Sequence, residues 1–103
     1  MAQSHKMLME VNMETRVAII GIIVEESGSV EKLNHILHDY GMYIIGRMGL
    51  PYREKGISII SIAMDAPQDI ISALSGKLGK LPGVSTKAAY SKIFGKNEKD
   101  ESQ

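Results

Sequence analysis

Arg16 to Val24 reads RVAIIGIIV, and hydrophobic residues occupy both parities of it. Val17, Ile19 and Ile23 fall on one side of an extended chain; Ala18, Ile20, Ile22 and Val24 fall on the other. Side chains alternate along a strand, so this segment reads as a strand buried on both faces and central in its sheet. Glu25 to Gly28 then break the run. From Val30 the period changes. Val30, Leu33, Leu37 and Tyr40 recur at three- and four-residue steps, with Ile36 beside them, which predicts an amphipathic helix over Val30–Tyr40. Ser29 is placed as its N-cap, and Gly41 follows its end.

Met42–Leu50 and Gly56–Asp65 predict a second and a third strand. Asp65 and Gln68 have the spacing of a capping box, with Pro67 inside the first turn. Ile70, Ile71, Leu74, Leu78 and Leu81 form one side of a second helix, in which Gly76 and Gly79 point to close approach of a neighbouring backbone. Val84–Phe94 is more polar and suits an edge strand. The order β-α-β-β-α-β predicts an α+β fold. It is a ferredoxin-like sandwich whose four-stranded antiparallel sheet carries both helices on one face, with strands one and three central. Domain organisation follows: a flexible arm over 1–13, one folded domain over 14–94 and a disordered polar tail over 95–103.

Two helices cover only one face of such a sheet. Strand three is also apolar on both sides, with Ile60, Ile62 and Met64 on one and Ile57, Ile59 and Ala63 on the other. An uncovered apolar face of that size predicts a partner, and a second copy of the chain, as dimer or tetramer, is the economical one. The alternative cover is the N-terminal arm, through Met7, Leu8, Met9 and Val11.

Composition narrows the function. With 103 residues and a formal net charge of zero, the chain lacks the cationic surplus of an electrostatically driven nucleic-acid binder. It has no Cys, which excludes disulfides and thiolate chemistry. No apolar run reaches membrane-spanning length and no signal-peptide core is present, so no membrane partner and a cytoplasmic location are expected.

The candidate chemistry is sparse. RNA-recognition domains of this topology stack bases on aromatics of the central strands, and strands one and three have none. An acylphosphatase-like phosphate loop needs an Arg after strand one, where this chain has EESGS. No nucleophile–base arrangement can be assembled, so catalysis is not expected. His35 and His38, at i and i+3 on the first helix, are the metal candidates, with Glu31 or Asp39 as an added oxygen. Glu26, Ser27, Gly28 and Ser29 join a central strand to a helix N-terminus, where free amides can hold an anionic group. Leu50 to Gly56 is longer than a minimal hairpin needs. Arg47, Tyr52 and Arg53 there are candidates for contact with a partner or ligand, Arg47 because it interrupts the apolar row of Tyr43 and Ile45.

RVAIIGIIVEESGSVEKLNHILHDYG and GRMGLPYREKGISIISIAMDA together resemble the iron-only hydrogenase system regulator family, over about Glu14 to Ile93. The most specific part carries Arg47, Gly49, Pro51, Tyr52 and Gly56. The resemblance implies an ACT-like fold related to the C-terminal sensing domain of the nickel-responsive repressor. It implies a stand-alone oligomeric regulatory module, transcriptional or metabolic, with a small ligand at a subunit interface near the first strand–helix loop. By position, that loop is Glu26 to Ser29. The chain departs from the nickel repressor in having no Cys and no His in its strands, and its first 13 residues are too short for a ribbon-helix-helix, so direct DNA binding is not expected. No cofactor is required on this reading. A divalent metal or a small anionic ligand such as an amino acid is the candidate bound species. A metal-responsive module using the helix histidines and a ligand-free adaptor docking a protein through Arg47 and Arg53 remain as alternatives.

Overall fold

Strand β1 (Arg16–Val24) alternates strictly between buried and exposed positions in the computed structural model, which describes residues 14–92. Its buried parity is Ala18, Ile20, Ile22 and Val24. It lies between β3 (Ile57–Ala66) and β4 (Val84–Tyr90), and β2 (Ile44–Tyr52) flanks β3, so the antiparallel sheet has the order β2-β3-β1-β4. Helices α1 (Val30–Asp39) and α2 (Gln68–Gly79) complete the β-α-β-β-α-β order. The α+β fold and the central position of β1 and β3 agree with the sequence reading.

The core is a single layer between the helices and one sheet face. Ile20, Ile22, Ile62 and Met64 from the sheet meet Leu33 and Leu37 of α1 and Ile71, Leu74 and Leu78 of α2. Each sits where the period of its own element predicts. Arg16 pins the start of β1: its guanidinium lies 4.6 Å from the Tyr90 ring centroid and donates to Gln68 Oε1 at 2.9 Å. At the other end of α2, Lys77 Nζ lies 5.2 Å from the Tyr40 ring centroid, tying α2 to the end of α1. Gly79 permits the approach of β4, since a Cβ there would lie 3.3 Å from Thr86 Oγ1; a Cβ at Gly76 would meet nothing.

Several local expectations need correction. Met42 and Tyr43 belong to a 3-10 turn, and β2 runs on through Pro51 to Tyr52. Pro51 is tolerated because β2 is an edge strand, with no neighbour among the described residues on its outer side. The capping box does not form: Asp65 stays in β3, Pro67 is itself the N-cap, and no side chain caps α2. β4 ends at Tyr90. The N-terminal arm, with its apolar residues, and the polar tail lie outside the described residues.

Two glycines take left-handed backbone. Gly56 (φ 68°) closes the four-residue β2–β3 connection, where an added Cβ would meet open space. Gly83 (φ 69°) sits in the α2–β4 turn, where a Cβ would lie 2.6 Å from Glu26 Cγ and 2.9 Å from Glu26 N. Gly83→Ala therefore adds a clash to the left-handed penalty and is expected to destabilise the fold by roughly 2–4 kcal/mol. Gly56→Ala meets only the penalty, about 1 kcal/mol. Urea denaturation of both variants checks the order; equal losses would mean that the Glu26 contact is dispensable.

Candidate functional site

The β1–α1 connection is built as a brace. Ser27–Ser29 forms a 3-10 turn before α1, and the Ser29 amide donates to Glu26 O at 3.0 Å. The Val30 amide donates to Ser27 O. Two amides of the candidate anion loop, those of Ser29 and Val30, are thus paired within the turn. Ser29 occupies the N-cap position, but its hydroxyl makes no cap bond and instead donates to Pro82 O at 2.6 Å. Ser29 is buried, and Glu25 N donates to Gly83 O at 2.7 Å beside it. The loop is fastened to the α2–β4 turn through both side chain and backbone. Gly28 lies at an exposed position where a Cβ would meet nothing within 4 Å, and its φ is not left-handed.

Arg47 lies on the opposite side of β2 from the one its sequence parity implies. The β2–β3 register slips between Ile44 and Gly46, making Ile45 the extra residue of a bulge, and every later residue changes face. Arg47 pairs with Ile62 on the helix side, and its guanidinium donates to Asn34 Oδ1 of α1 at 2.7 Å. It bridges the edge strand to the helix. Tyr52 pairs with Ile57 on the other face, and its hydroxyl donates to Glu54 Oε1 at 2.9 Å. Arg53 is exposed in the turn that follows. Arg47 and Tyr52, grouped by sequence, thus stand on opposite faces of the sheet.

His35 and His38 share an open depression with Glu31 and Asn34 on the outer side of α1. Both histidines are exposed. Among the described residues, no cluster of three or more His, Cys, Asp or Glu side chains is placed to hold a metal ion.

The largest feature is the helix-free face of the sheet. Val17, Ile19 and Ile23 of β1 are 41–50% exposed, and Ile59, Met48, Leu50 and Tyr52 add to the same face. With strands about 4.8 Å apart and about 3.3 Å per residue, the face projects to on the order of 400 Å². Its register makes ridges and a trough. Leu50, Ile59 and Ile23 form one cross-strand row. Gly46, Ala63, Ile19 and Ala89 form another. Between them runs Met48, Ser61, Gly21 and Lys87, with the small residues in the middle. A depression of about 460 Å³ occupies the β3–β1–β4 part of this trough. Sequence reading missed it. The signal was present, since Gly21 and Ser61 each interrupt an apolar row, but only the register sets the two side by side.

With this geometry in hand, the comparisons are specific. The model of the TM1266-like family, described as "Iron-only hydrogenase system regulator, putative", matches residues 16–88. The chain belongs to this family. The uncharacterized protein TM1266 from Thermotoga maritima has a similar structure, with a TM-score of 0.74 and 36% identity over 77% of this chain and all of that one. A formyltetrahydrofolate deformylase from Pseudomonas putida KT2440 matches with a TM-score of 0.52 at 14% identity, over 71% of this chain and 28% of that one. This second likeness shows the shared ferredoxin-like, ACT-like fold alone. No curated protein matches the chain. The family description names a regulator rather than an enzyme. No helix among the described residues is long and apolar enough to cross a membrane.

Ser29→Ala tests the brace. Removing the hydroxyl leaves the Pro82 carbonyl without its buried donor, so a loss of about 1–2 kcal/mol is expected in chemical denaturation. A variant as stable as the wild type would free Ser29 from its structural duty.

Proposed function

We propose that the chain is an oligomeric regulatory module whose subunits meet through the helix-free sheet face and hold a small ligand between them. The carrying observation is that face: isoleucines of both central strands stand on it at 39–50% exposure, with Met48 and Leu50 at 60% or more. A monomer rarely leaves an apolar patch of this size without a use for it. Sheet-to-sheet packing of a second copy buries each isoleucine twice over, once per subunit, because a two-fold contact presents the same patch from both sides. Membership in a regulator family supports a module that responds rather than reacts.

Ligand sensing follows from the shape of the contact. Two ridged faces that meet across a trough leave enclosed space at the subunit boundary, and a ligand there couples its own binding to assembly by mass action. The metal reading draws less support, because His35 and His38 lie on α1, away from this face.

The test is assembly. Native mass spectrometry of the wild type is expected to show a discrete dimer or tetramer. The double variant Ile19→Glu, Ile23→Glu places a charge on each central ridge. It is expected to run at single-chain mass with an unchanged far-ultraviolet circular dichroism spectrum, since both positions lie outside the core. A wild type at single-chain mass, or a double variant that assembles as before, removes the proposal.

A further inference from the structure

We infer that the trough across the open sheet face is a binding site for an aliphatic monocarboxylate, with Lys87 taking its carboxylate. This rests on the reading of the chain as an oligomeric sensing module and assigns the ligand class and its residues. The trough is apolar along its walls, where Ile23 and Ile59 rise on one side. Its floor is Gly21 and Ser61, paired directly across β1 and β3. At the β4 end stands Lys87, paired with Gly21.

Three observations point to this ligand. First, the depression holds about 460 Å³, a volume ordinary for small-molecule sites. It spans two inter-strand steps, about 10 Å, which suits a short aliphatic body. Second, Lys87 is the one cation among the sheet residues of this face, and its ammonium has no ion-pair or hydrogen-bond partner among the described residues. The face's one carboxylate in the sheet, Asp65, pairs with Val17, two rows further along. Lys87 lines the depression, and a lysine stem can lie on apolar surface while its charged head stays free to pair. Third, among the described residues the trough is lined by no carboxylate that could receive an ammonium. That disfavours a zwitterionic amino acid and favours an acid with one negative charge and an apolar body. Covering by a second subunit lowers the dielectric around Lys87 and strengthens its pairing with the bound carboxylate.

Gly21 makes the site testable without harming the fold. A Cβ there would meet only Lys87 O, at 3.9 Å, and its φ is not left-handed, so a larger residue fits the backbone and fills the trough. Isothermal titration of the full chain with octanoate, using octylamine as the charge control, is the measurement. The wild type is expected to bind octanoate saturably and octylamine at least tenfold more weakly. Lys87→Met, which keeps the stem and removes the charge, is expected to weaken octanoate at least tenfold, and Gly21→Val to abolish its binding. No saturable binding by the wild type overturns the inference, as does equal binding of octylamine. If Lys87 only protects the sheet edge from aggregation, Lys87→Met will aggregate more readily yet bind octanoate unchanged, which also overturns it. Native mass spectra of the same samples separate the two proposals. A wild-type oligomer that ignores octanoate keeps the interface and loses the site. A wild-type monomer that binds octanoate in a Lys87-dependent way keeps the site and loses the interface.

Discussion

The structure depends on a mismatch between strand and helix. β1 is apolar on both parities, but α1 and α2 lie on one side of the sheet. Burial of Ile20, Ile22, Ile62 and Met64 under the helices supplies the core. The other parity, Val17, Ile19 and Ile23, gains nothing from the chain's own helices. At roughly 25 cal/mol per Å² of apolar area, leaving such a face in water forgoes several kcal/mol. A chain that needed only to fold would place polar residues there, as half-solvated antiparallel sheets do. The hydrophobic surplus on this face is therefore the feature on which the proposed interface rests.

The connections serve the same arrangement. The β1–α1 loop is fixed to the α2–β4 turn by Ser29, Glu25 and Gly83, so the ends of β1 and β4 are held in register. That register sets Lys87 opposite Gly21. On the far side, the bulge at Ile45 turns Arg47 toward Asn34 and leaves Met48 and Leu50 on the open face. One inserted residue thus converts a charged position on the open face into an apolar one and spends the arginine on a helix contact.

Much of the fold was legible in local patterns. Both helices and all four strands appear where period and punctuation place them, because each pattern follows from backbone geometry alone. The errors gather where a local motif competes with tertiary demands. The spacing of Asp65 and Gln68 permits a capping box, but Asp65 is held in the β3 ladder opposite Val17. Ser29 has the chemistry of a cap, but the Pro82 carbonyl takes its hydroxyl. Pro51 and Tyr52 look like a turn, and the free outer edge of β2 lets them remain strand.

The sequence by itself determined the element order, the two-faced central strands and hence the presence of an apolar face in excess of what two helices cover. These follow from periodicity, which is a property of neighbours along the chain. It could not place the candidate site. Arg47 and Tyr52 are close in sequence yet divided by strand parity, whereas Gly21, Ser61 and Lys87 are far apart in sequence and adjacent in space. Adjacency across strands is set by hydrogen-bond register, and a slip of one residue would send every side chain to the opposite face. Only the assembled sheet decides that.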